Sequence, residues 1–282
     1  MTWERFGYIC RKASVECKNE ESVSACLSRI ENEDSCKLYG GRLSDNSWPG
    51  KILNDIGALK NKNSALTALN FYKNVSFFDQ LEEPVRLKRV VAYLGYVIAV
   101  FFAVVSVYQL RVMPRFVSAF EEFGYAIPDR LAWYQDHWGF LVLIISILLI
   151  SSLVIGEHLK KLFKFNVGTE NSFVLRYLAL PSVRGSYRNI VDLLSFPIAQ
   201  TVHENGRTES QIFNHLQVVE NTSMCVSTEI SELLKVETRT LLEGCEKQMR
   251  YLSITTAVVI VAAIFFFLAS AYSPLFVLGE SI

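Results

Sequence analysis

Residues 86–134 read RLKRVVAYLGYVIAVFFAVVSVYQLRVMPRFVSAFEEFGYAIPDRLAWY. A basic cluster, Arg86, Lys88 and Arg89, leads into 21 uncharged residues from Val90 to Leu110, followed by a proline-bounded segment of phenylalanines and acids. At 1.5 Å per helical residue, such a run reaches roughly 31 Å, the thickness of a bilayer's hydrocarbon core. The stretch therefore predicts a membrane span, and the remainder of the chain is read outward from it.

Two further runs have the same character. WGFLVLIISILLISSLVIG, at 138–156, carries no charge, and neither does the segment between Arg250 and Glu280. A buried core helix rarely lacks charge over so many residues, so both are predicted to span. No ionisable side chain interrupts any of the three runs, and Gln109 stands at the edge of the first. Transport chemistry built on intramembrane charges thus has no residues to work with.

Outside the spans the composition is ordinary. The chain is 51% hydrophobic, and its 28 basic and 28 acidic residues cancel, so no excess charge points to nucleic acid. Charge placement is more informative. Arg86, Lys88, Arg89, Lys160, Lys161, Lys164, Arg239, Lys247 and Arg250 all flank the ends of spans that face one side. The connecting loop offers Arg111, Arg115 and Arg130 against Glu121, Glu122, Asp129 and Asp136. Basic flanks stay in the cytoplasm, which predicts a multi-pass membrane protein with a cytoplasmic N-terminus and its C-terminus on the opposite side.

The predicted order is a cytoplasmic helical domain at 1–89, a span at 90–110, a periplasmic loop at 111–137, a span at 138–156, a second cytoplasmic helical domain at 157–251, a span at 252–278 and a tail at 279–282. The fold class is an all-α integral membrane protein, with three transmembrane helices and two helical-bundle cytoplasmic domains. In the first domain, Trp3, Phe6, Ile9 and Cys10 share a helical face, and so do Val23, Cys26, Leu27 and Ile30. Helices are expected over 51–59 and 64–81, with Leu66, Leu69, Tyr72 and Phe77 turned inward. In the second domain, a helix over 186–203 should break or bend at Pro197. Asn205-Gly206 supplies a turn, and Thr208 with Gln211 forms a capping box for the next helix. Helices from Thr222 to Val236 and from Glu237 into the third span complete it.

Catalytic patterns are missing. There is no phosphate-binding GxxxxGK[ST] loop, and His137, His158, His203 and His215 are dispersed. The six cysteines, Cys10, Cys17, Cys26, Cys36, Cys225 and Cys245, form no CxxC, and no HExxH accompanies them. They are expected as free thiols in a reducing compartment, with no metal and no cofactor. In the loop, Phe116, Phe120, Phe123 and Ile127 recur at helical spacing with Glu121 and Glu122 off that face. This describes either a helix lying on the membrane surface or a face for a partner.

Two stretches carry a family resemblance. Val112–Leu131, VMPRFVSAFEEFGYAIPDRL, is similar to the loop of the GspF/PilC-like inner-membrane platform proteins of type IV pilus and type II secretion machines: a proline, an acidic phenylalanine-rich helix, a glycine and a second proline. Leu178–Gly185, LALPSVRG, is similar to the leucine-proline-x-x-glycine opening of that family's second cytoplasmic domain. The order of domain, span, loop, span, domain, span is also the family's. The chain is short, and has Tyr93-Leu94 where the family often has Tyr-Pro.

The resemblance implies a non-enzymatic platform of the bacterial inner membrane, with its C-terminus in the periplasm, that couples a cytoplasmic assembly ATPase to insertion of pilin or pseudopilin subunits and works as a homo-oligomer in the bilayer. It suggests Phe116, Phe120, Glu121 and Glu122 for contact with pilin or alignment-complex proteins, and Lys160, Lys161 and Arg188 for cytoplasmic docking. Topology and lipid headgroups account equally well for the lysines. The competing expectation is an accessory subunit of a membrane transporter or channel. An intramembrane enzyme is disfavoured because the spans lack catalytic polar residues.

Overall fold

The computed structural model describes residues 2–17, 21–75, 85–122, 124, 126–127, 129–202, 211–222 and 224–280. They fold into helices α1 (Thr2–Glu16), α2 (Val23–Asn32), α3 (Asp34–Lys37), α4 (Trp48–Gly57), α5 (Lys62–Lys73), α6 (Val85–Val107), α7 (Met113–Glu122), α8 (Asp129–Leu162), α9 (Pro181–Val202), α10 (Gln211–Asn221) and α11 (Val226–Glu280). Among the described residues there is no strand beyond a single antiparallel bridge, Ser47 to Asn166. Three stretches, Arg89–Glu122, Asp136–Leu162 and Val226–Phe266, are long and apolar enough to cross a membrane.

The chain divides into two compact units. One is built from Met1–Pro84 and His158–Glu246, the other from Val85–Glu157 and Lys247–Ile282. The sequence predicts two separate helical bundles, 1–89 and 157–251, whereas in the structure these segments contribute to one. The physical reason is a shortage of partners. The apolar faces of α4 and α5 pack against α9, and Trp3 of α1 meets Phe165, so the second segment closes the core of the first.

In this helical unit the predicted stripes are buried as expected: Trp3, Phe6, Ile9 and Cys10 on α1, and Val23, Cys26, Leu27 and Ile30 on α2. Ser22 caps α2 by accepting from the Ala25 amide, and Ser47 caps α4 through the Gly50 amide. Such caps satisfy amides that the first helical turn leaves without partners. On α5 the buried set is Ala65, Ala68, Leu69 and Tyr72. Leu66 is half-buried, and Phe77 lies outside the described residues.

The second segment enters this core through Phe163–Val167. Phe165 is fully buried, stacks parallel on Tyr187 at 5.8 Å and meets Trp3 edge-on at 6.2 Å. Its carbonyl accepts from the Trp48 amide at 2.9 Å, while the Val167 amide donates to Asn46 at 2.8 Å. Phe165 has a φ of 46°, a conformation uncommon for a side chain of this size. Packing against Tyr187 and Trp3 holds it there.

One cysteine expectation is corrected. Cys17 and Cys26 form a disulfide with their Cα atoms 5.9 Å apart. CxxC spacing does not describe this pair: Cys17 directly follows α1, and Cys26 lies near the start of α2, which packs against α1. Cys10, Cys36, Cys225 and Cys245 are free.

In the apolar unit, Leu94, Ile98 and Phe101 of α6 pack with Leu149 of α8, and Ile145, Leu153 and Ile260 close the cluster. Gly156 brings the helices close. A Cβ there would lie 3.1 Å from both Met249 Cε and Val91 Cγ2. Small residues at such crossings let membrane helices approach, and dispersion then holds them.

Three places where an interruption is expected are continuous helix. Beyond Val107 the chain widens into a π turn, Tyr108–Val112, and continues into α7 through Pro114. A proline ring crowds the carbonyl four residues earlier, here that of Leu110, and the wider turn gives it room. Likewise α9 incorporates Pro197. The helix α11 passes through Val236 and Glu237 without a break for 55 residues. The capping box at Thr208 falls outside the described residues.

Candidate functional site

Two regions hold the residues singled out by the sequence. The first is α7 and the π turn before it. Phe120 is buried against Tyr108 and Met113, with Val112, Ile127 and Trp138 packed around them. The Tyr108 hydroxyl donates to Met113 Sδ at 3.6 Å. Phe120 therefore holds α7 against its own unit. Glu121 and Glu122 are exposed, as their helical phase predicts. The backbone of Phe116 belongs to α7, and Phe123 lies outside the described residues. Nearby, Trp133 stacks on His137 at 4.6 Å and meets Phe266 of α11 at 5.7 Å.

The second region lies in the helical unit. Lys160 and Lys161 occupy the last turn of α8, where cations favour the carbonyl end of a helix. Lys160 is half-buried and Lys161 exposed. Arg188 is exposed on α9, next to Asn189, whose amide donates to Glu237 of α11 at 2.9 Å. The lysines and Arg188 thus sit on different elements. The close approach of α9 and α11 depends on Gly244, where a Cβ would lie 2.9 Å from Val183 Cγ2.

Sequence reading missed Cys225, the one exposed thiol of the four free cysteines. It lies just before α11, with its Sγ 3.2 Å from the Ser227 hydroxyl. That hydroxyl, with help from Thr228, holds the thiol down at about 7. Burial instead pushes the Cys10 thiol up. The thiolate is the nucleophile, so Cys225 is the reactive cysteine. Its signal is the run Cys-Val-Ser-Thr-Glu, a thiol followed by hydroxyls at a helix start. His215 Nε2 lies 2.9 Å from Glu229 Oε1 and joins α10 to α11 nearby.

No group of three or more His, Cys, Asp or Glu placed to hold a metal is present among the described residues. No family model, curated protein or solved structure matches the chain.

Proposed function

We propose that this chain is an inner-membrane platform of a type IV pilus or type II secretion-like machine, which couples a cytoplasmic assembly ATPase to the insertion of pilin or pseudopilin subunits. One observation carries the proposal: the segments before the first span and after the second make a single compact helical unit. Two crossings between them return the chain to the same face, where the unit offers one docking body. The loop Val112–Leu131 and the LALPSVRG run support the reading by resemblance. The nine basic residues flanking the predicted spans support a cytoplasmic location for the unit. On this reading Lys161 and Arg188 are docking candidates for the ATPase, while Glu121 and Glu122 face pilin or alignment-complex proteins. Copies of the chain assemble around the site where subunits insert.

In-cell photocrosslinking from position 188 tests it. Capture of a hexameric ATPase, together with loss of fibres in a deletion strain, is the expected result. Absence of any ATPase adduct and normal fibres would reject the platform.

The Cys17–Cys26 disulfide favours a second reading. Disulfides persist in oxidising compartments and are rare in the cytosol outside hyperthermophiles. A helical unit on the outer face would suit an accessory subunit of a transporter or channel. Cys225 separates the two orientations. A membrane-impermeant maleimide applied to intact spheroplasts leaves it unlabelled in the platform orientation until the membrane is opened, and labels it at once in the other.

A further inference from the structure

Exposed apolar side chains are expected on α6, α8 and α11, where lipid covers them. The helical unit has a group with no such cover. Phe173, Tyr177 and Leu178 are 68%, 62% and 45% exposed. They belong to one short element, the π turn Val174–Leu178 and the residue before it, whose Val174 and Leu175 side chains are buried. The turn is fastened from beneath. Arg184 Nε donates to the Leu175 carbonyl at 3.2 Å, and the Ala179 amide donates to Val174 at 2.8 Å. The rings of Phe173 and Tyr177 lie 5.0 Å apart, and the Arg176 guanidinium is 5.4 Å from the Tyr177 ring.

The surrounding charge is basic. Between Glu157 and Leu180 stand Lys160, Lys161, Lys164 and Arg176, against Glu157 and Glu170. This connection also follows directly on a predicted span. The apolar run of α8 ends at Gly156, and the helix continues for six residues to Leu162, about 9 Å, which is close to the depth of one headgroup layer. Aromatic rings beside Lys and Arg are the combination that settles at a bilayer interface, with the rings at the acyl boundary and the cations among the phosphates.

We infer that the Phe173–Leu178 turn is an interfacial anchor that seats in the headgroup layer of an anionic bilayer. Phe173, Tyr177 and Leu178 enter the acyl boundary, and Arg176 with Lys161 and Lys164 meets the lipid phosphates. The inference rests on the helices α6, α8 and α11 crossing a bilayer, and it is independent of the platform reading.

The test is spin-label accessibility in full-length protein reconstituted into vesicles of phosphatidylglycerol and phosphatidylcholine. A Cys225→Ser background removes the exposed native thiol, and labels are placed through Phe173→Cys, Tyr177→Cys or Leu178→Cys. Lys235→Cys serves as a water-facing control and Ile147→Cys as a span control. Labels at 173, 177 and 178 should collide severalfold more with oxygen than with a water-soluble nickel chelate, and less so in vesicles lacking phosphatidylglycerol. Label 235 should show the reverse preference. Behaviour at all three positions like that at 235 overturns the anchor. So does immobilisation with shielding from both reagents, which would mean a protein contact. A water-exposed label at 147 would overturn the spanning reading itself, and is distinguished by that control. Three separate labels guard against one variant that fails to fold.

Discussion

The Tyr72 hydroxyl of α5 donates to the Leu194 carbonyl of α9 at 2.6 Å, joining residues 122 positions apart in the sequence. Tyr72 is fully buried, and burial holds its phenol well above its ordinary range, so it remains a neutral donor. Leu194 lies three residues before Pro197, in a turn whose regular hydrogen bonding the proline disturbs. Tyr72→Phe should therefore lower stability by about 1 kcal/mol, the net worth of a typical internal hydrogen bond. Thermal melting in detergent followed by circular dichroism measures this, and an unchanged melting temperature would show that the bond is not needed.

Phe165→Ala should be far more damaging. It removes a ring packed between Trp3 and Tyr187 but leaves the left-handed backbone in place. Truncation of a buried phenylalanine costs about 3–5 kcal/mol. Limited proteolysis should then cut the helical unit under conditions in which the native chain resists, and equal resistance would contradict the interlock.

At Gly156, size alone should set the outcome. Alanine needs only a small shift of the ends of the Met249 and Val91 side chains, whereas leucine must force the helices apart. Overpacking of this kind costs about 1–3 kcal/mol. Gly156→Leu should unfold at a lower denaturant concentration than Gly156→Ala, and equal midpoints would mean that α8 does not pack closely here.

Cys225 gives a pH profile. Because its folded pKa is depressed to about 7, the thiolate predominates above that pH and disappears below it. Maleimide coupling should therefore rise through neutrality with a midpoint near that value. Ser227→Ala removes the leading hydrogen bond, so the midpoint should move up toward the ordinary thiol value of about 8.5, with coupling at neutral pH up to about tenfold slower. A midpoint that does not move would sink the role assigned to Ser227.

The three long apolar helices and the stripes of α1 and α2 were legible because each depends on local composition or spacing. Trp3, Phe6, Ile9 and Cys10 fall on one face whatever they pack against. Other features depended on distant partners. Nothing near Tyr72 points to Leu194, and nothing near Phe165 announces that two segments separated by two predicted spans share a core. Cys17 and Cys26 pair through helix packing, which no short motif encodes. At Pro114 the rule that prolines end helices was overridden by the π turn before it. Phe120 packs against Tyr108 and Met113, partners that its spacing does not name, since helical periodicity identifies an apolar face without saying what covers it.

The joining of Tyr72 to Leu194 also imposes a timetable. At 5–20 residues per second, a ribosome needs roughly 6–24 s to make the intervening chain. Throughout that interval the N-terminal segment exists as half of a core, with the apolar faces of α1 and α5 waiting while α6 and α8 are synthesised. Ribosome-arrested chains that stop before Leu194 should remain protease-sensitive, with protection appearing only once α9 has emerged; early protection would contradict this order. Maturation of the helical unit is thereby tied to the making of the apolar helices, so a chain stalled between them holds its unfinished core open to chaperones and proteases.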